Sequence, residues 1–120
     1  MATKRAQGTA ERILDIAERL VQLRGFNAWS YADVSKAIGI RKASLHYHFA
    51  TKADLGLALV ARYRRAFLGS LLSIDADSDG ALERLERYVG LYGAVLRKKR
   101  MCMCGMLATD AATLPKPLRE

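Results

Sequence analysis

The densest set of chemically capable side chains lies between residues 41 and 48, where Arg41, Lys42, Ser44, His46, Tyr47 and His48 surround Leu45. These are groups that meet a nucleic-acid backbone. Lys and Arg neutralise phosphate charge, and Ser and Tyr donate neutral hydrogen bonds to phosphate oxygens. A solvated helix has no need of so many aromatic hydrogen-bonders beside cations. Other readings of the same residues are poorer. His46 and His48 stand two apart, so their rings diverge on a helix, unlike the i, i+4 pair that grips zinc. Either ring could instead pack on a neighbouring helix as a neutral, partly buried group. No phosphate loop, dinucleotide fingerprint or activated nucleophile is recognisable, so neither an enzyme nor a metal or cofactor site is expected.

Such a segment must be held rigidly. Residues 31–49 read as two short helices joined by Ile38-Gly39-Ile40, where glycine permits the tight left-handed turn that makes the second helix cross the first steeply. Ser30-Tyr31-Ala32-Asp33 has the form of a capping box. Its free backbone N–H groups, with Ser30 and Tyr31, could also accept a phosphate. Val34, Ile38, Ile40 and Leu45 can face inward, and Ser35 is small where the helices meet. This is a helix-turn-helix pattern, whose second helix enters the major groove of DNA.

The rest of the chain also reads as helix, giving an all-α fold. Apolar residues recur at helical spacing from Thr9, a candidate N-cap, to Arg24, with Gly25 as the stop. Phe26 and Trp29 cover the core. Thr51 to Asp54 repeats the capping pattern and opens a long helix from Lys52 to about Ile74. Asp75 to Gly80 is an acidic break. A helix from Ala81 to Arg97 carries Leu82, Leu85, Val89, Tyr92 and Leu96 on one face. The basic run Arg97 to Arg100 suits a helix C-terminus. A last apolar helix, Met101 to Ala112, is broken by Pro115 and Pro117.

The 120 residues are 51% apolar and 27% charged, enough for a modest core and too apolar for a disordered tail. No apolar run approaches the roughly 18 residues of a membrane span, and Met1 to Gly8 does not read as a secretory signal. Of the net charge of +8, residues 1–65 carry 12 basic and 5 acidic groups, or +7, and residues 66–120 carry 8 and 7, or +1. A basic half beside a near-neutral half fits a polyanion-binding module joined to something else. Two cysteines one residue apart fit reduced thiols in the cytoplasm.

The stretch AERILDIAERLVQLRGFNAWSYADVSKAIGIRKASLHYHFATKADL, residues 10–55, resembles the N-terminal DNA-binding domain of the tetracycline-repressor (TetR) family. The features follow in order: a helix ending in Gly-Phe, a capped short helix, the A-x-G turn, an L-x-Y-x-F recognition helix, and Thr-Lys before a long helix. The resemblance implies a homodimeric, sequence-specific transcriptional regulator of double-stranded operator DNA, usually a repressor released by a small ligand. It places Lys42, Ala43 and Ser44 nearest the base edges, and His46, Tyr47, His48 and Lys52 on the backbone and neighbouring bases. Arg41 stands where a Ser or Thr cap is commoner, His46 where Tyr is commoner, and Ser35 where Ala is common. The implied division is a helix-turn-helix domain over residues 1–51 and the first helices of a ligand-binding and dimerisation domain over residues 52–120. Another helix starts at the final residues, and the helices that build most of the family's dimer bundle are not in the sequence. The alternative is a truncated helical interaction module that titrates a full-length relative.

Met101-Cys102-Met103-Cys104-Gly105-Met106 holds five sulfur atoms in six residues. Packing is one reading. A thiol sensor is another, with Arg97 to Arg100 favouring the thiolate. A Cu(I) site is the third, opposed by the 200° between residues two apart on a helix. Residues 101–119 also resemble, more loosely, a branch of the family that includes a repressor sensing N-ethylmaleimide and hypochlorite, which implies that Cys102 is the effector-sensing thiol.

Overall fold

The computed structural model describes residues 2–120, with side chains described from residue 8 onward. The described residues form helices without strands: α1 (Ala2–Arg24), α2 (Tyr31–Ile38), α3 (Lys42–His48), α4 (Lys52–Asp77), α5 (Ala81–Arg97), α6 (Met103–Thr109) and α7 (Lys116–Arg119). The all-α expectation holds.

Three helices have bounds that differ from expectation. α1 begins at Ala2, so Thr9 is inside the helix and is not its cap. Ala, Lys, Arg and Gln before Gly8 are good helix formers, and one glycine costs only about 1 kcal/mol. α4 continues through Asp77, confining the break to residues 78–80. The last apolar helix runs from Met103 to Thr109, shorter at both ends than the expected Met101 to Ala112, with Cys102 at its N-cap in extended conformation.

The core is built on the apolar stripe of α1. Ile13, Ala17 and Val21 are fully buried, together with Val34 of α2, Leu45 of α3, and Leu55 and Leu59 of α4. Burying each such aliphatic side chain contributes about 1.5–3 kcal/mol. Phe26 and Trp29, expected as cover, are buried and meet edge to face at 5.9 Å. Met103 and Leu114 belong to the same cluster, so packing runs unbroken across residue 51.

Polar links brace this core. Arg62 of α4 reaches Asp15 at 2.7 Å, Glu11 at 3.1 Å and Glu18 at 3.6 Å, pinning α4 along α1. Beyond α6, the Asp110 carboxylate accepts the Phe26 N–H at 2.8 Å, and Asn27 donates to Thr113 Oγ1 at 2.5 Å. Gly25 ends α1 with φ 82°. A Cβ there would sit 2.6 Å from Asp110 Oδ2, so glycine is required for the approach as well as for the backbone turn.

α5 departs furthest from its sequence pattern. Leu82, Leu85, Val89, Tyr92 and Leu96 do share a face, but that face is exposed, and no side chain of α5 is fully buried. An open cavity of about 340 Å³ lies where α5 and residues 98–100 meet α1 and α4.

Candidate nucleic-acid interface

α2 starts as its sequence demands. The Asp33 carboxylate accepts the Ser30 backbone N–H at 2.8 Å, which holds its pKa below the usual carboxylate value. This carboxylate stands at the end of α2 where a phosphate was expected, and like charges repel. The α2–α3 turn is locked by Gly39 at φ 77°, whose N–H bonds to the Ser35 carbonyl at 2.8 Å. Ser35 Oγ donates to the Ile40 carbonyl, so a hydroxyl does work here that the commoner alanine could not.

On α3, Leu45 is the only fully buried residue. It anchors the helix while Arg41, Lys42, Ala43 and Ser44 stay exposed. Arg41 is the N-cap and makes no side-chain capping bond, so its guanidinium is not spent on the helix start. Tyr47 is 81% exposed, its ring edge-on to His48 at 5.1 Å. Two cations, a hydroxyl and a phenol therefore project together from a helix fixed through one leucine.

Three nominated residues do different work. Tyr31 turns inward, and its hydroxyl lies 2.8 Å from the Phe49 carbonyl and 2.7 Å from the Thr51 carbonyl. Burial first, and the Asp54 charge second, push its pKa up to about 12. Tyr31 clasps the α3–α4 connection to α2 and does not present its hydroxyl to a ligand. Lys52, expected on the DNA backbone, also points inward. Its ammonium donates to the Phe26 carbonyl at 2.5 Å and the Trp29 carbonyl at 2.6 Å, and lies 4.7 and 4.3 Å from their ring centres. Burial lowers its pKa. The reason is local: the loop ending α1 leaves two carbonyls unpaired beneath two aromatic faces, and a cation satisfies both. His46 remains exposed but is engaged, its ring 4.7 Å from Tyr31 and its Nδ1–H donating to the Ala50 carbonyl at 2.9 Å. His48 is half-buried.

Ser30 is exposed at the edge of this surface. Cys102 lies far along the chain, half-buried, its Sγ accepting the Gly105 N–H at 3.3 Å as the cap of α6. Because Cys102 precedes the helix, the helical angle between it and Cys104 does not apply. Of the two thiols, Cys104 is the exposed one. Sequence reasoning missed Arg62 and Asp110. The acidic spacing Glu11, Asp15, Glu18 on one helical face signalled a basic partner, whereas nothing local marked Asp110.

Residues 13–59 match the model of the bacterial regulatory proteins of the tetR family. The biofilm operon negative transcriptional regulator IcaR of Staphylococcus epidermidis is 31% identical over 93 residues, covering 68% of this chain and 50% of IcaR. The transcriptional regulator AcrR of Shigella flexneri is 38% identical over 50 residues, 42% of this chain and 23% of AcrR. A TetR-family regulator from Agrobacterium tumefaciens superposes with a TM-score of 0.89 at 35% identity, covering 94% of this chain and 60% of that structure. The chain thus spans half or less of these curated relatives. No described helix is long and apolar enough to cross a membrane. The helix-turn-helix geometry, the family match across α1–α4 and the superposition over almost the whole chain agree: the chain belongs to the TetR family of regulatory proteins.

Proposed function

We propose that this chain is a sequence-specific DNA-binding transcriptional regulator, acting as a homodimeric repressor released by a small effector. The observation that carries this reading is the exposed face of α3. Lys42, Ala43 and Ser44 lie at the outward start of the helix, flanked by Arg41 and the free phenol of Tyr47, with Leu45 fixing the angle beneath. Such a face offers groove contacts and phosphate contacts from one rigid element. A residue pair such as Lys42 and Ser44 would choose among base edges, while Arg41 and Tyr47 would hold any duplex. Two copies are needed for tight binding, since linking two half-sites raises the overall affinity far above that of one. The effector is read as a molecule held in a cavity. Cys102 is occupied in capping α6, which favours its packing role over the sensing one.

Selection from random duplexes followed by titration in salt tests this reading. Affinity should fall steeply, with a log–log slope of about −3 or steeper per protomer, because each neutralised phosphate releases roughly one counterion. A slope near zero would instead favour a helical protein-interaction module.

A further inference from the structure

The cavity between α1, α4 and α5 has a lining that specifies a ligand. One wall is aromatic. Tyr63 and Phe67 of α4 stack at 6.1 Å with ring planes 12° apart, and Phe67 meets Tyr92 of α5 at 6.2 Å. The rim is cationic, formed by Lys98 and Arg100. Their placement follows from the backbone: Lys99 adopts a left-handed φ of 57°, turning the chain back toward α1. There Met101 N–H bonds to the Gln22 carbonyl at 3.0 Å, and Arg100 donates to Gln22 Oε1 at 3.4 Å. The acidic residue on the lining, Glu18, already faces Arg62. Lys98 and Arg100 thus give the cavity a cationic rim over an aromatic wall.

We propose that this cavity binds a flat aromatic carboxylate, its ring against Phe67 and Tyr92 and its anionic group between Lys98 and Arg100. This deepens the effector reading above and rests on it for its purpose. A volume of about 340 Å³ suits a bicyclic acid, within the range of small-molecule pockets. Glu18 and Gln22 on the lining belong to α1, which also carries the core of the DNA-binding half, so a bound ring would brace that half against α5.

The test is titration of the full chain with 2-naphthoate, 2-naphthylmethanol and 2-naphthylmethylammonium, by calorimetry. The acid should bind saturably and at least about tenfold more tightly than the amine, a difference of about 1.4 kcal/mol. Lys98→Gln/Arg100→Gln should weaken the acid about tenfold and leave the alcohol unchanged. Lys98→Glu, at an exposed position, should do the same if the double variant is poorly folded. Leu85→Gln, on the exposed face of α5, should change nothing. Equal binding of acid and amine, an acid affinity indifferent to both charge variants, or one that follows Leu85→Gln would overturn the proposal. Duplex affinity measured with and without naphthoate separates the two readings. Charge-dependent naphthoate binding that leaves duplex affinity unchanged supports the site and refutes effector release. Loss of charge dependence with duplex binding intact overturns the site and leaves the DNA-binding reading standing.

Discussion

Lys52→Met is expected to destabilise the fold by about 2–4 kcal/mol and to reduce DNA binding only as a consequence. The substitution keeps the aliphatic stem and removes the ammonium. The Phe26 and Trp29 carbonyls would then lose a charge-assisted donor in a part-buried site, and both aromatic faces would lose their cation. For a chain of this size the thermal midpoint should fall by about 10 °C. The loop from Gly25 to Trp29 precedes α2, so loosening it also loosens the platform of α3. Thermal unfolding followed by circular dichroism checks this. A midpoint unchanged within 2 °C or so, with duplex affinity reduced, would instead return Lys52 to the DNA backbone.

Tyr47→Ala should show the opposite pattern. Tyr47 is 81% exposed, with its ring set edge-on to His48, so its removal should move stability by less than about 0.5 kcal/mol. Affinity should nevertheless drop roughly tenfold for every duplex alike, the mark of a phosphate contact. In a homodimer the loss would be counted at both half-sites. Binding isotherms on a selected duplex and on a scrambled one measure both points. Equal affinities in variant and parent would show that α3 does not meet the backbone through this face.

The contrast between these two residues shows what the sequence could and could not tell. The helical stripe of Ile13, Ala17 and Val21, the capping boxes at Ser30 and Thr51, and the Gly39 turn depend on neighbours within a few residues, so periodicity and residue type announced them. The outward set on α3 was legible for the same reason, since one inward Leu45 fixes where the other side chains point. The intramolecular bonds of Lys52 and Tyr31 were not legible, because their partners are distant in sequence and are main-chain carbonyls, which no residue type advertises. The α5 stripe was legible as a face but not as an exposed one, because periodicity locates a surface without saying what lies against it.

The bond from the Phe26 amide to Asp110 spans 84 positions of sequence and is only 2.8 Å long. That amide is therefore a built-in spectroscopic reporter. Its deuterium exchange rate and its proton chemical shift register any separation of the segment after α6 from the end of α1, at a site outside both α3 and the lining of the proposed cavity. One resonance can thus follow whether events in the second half of the molecule reach the first.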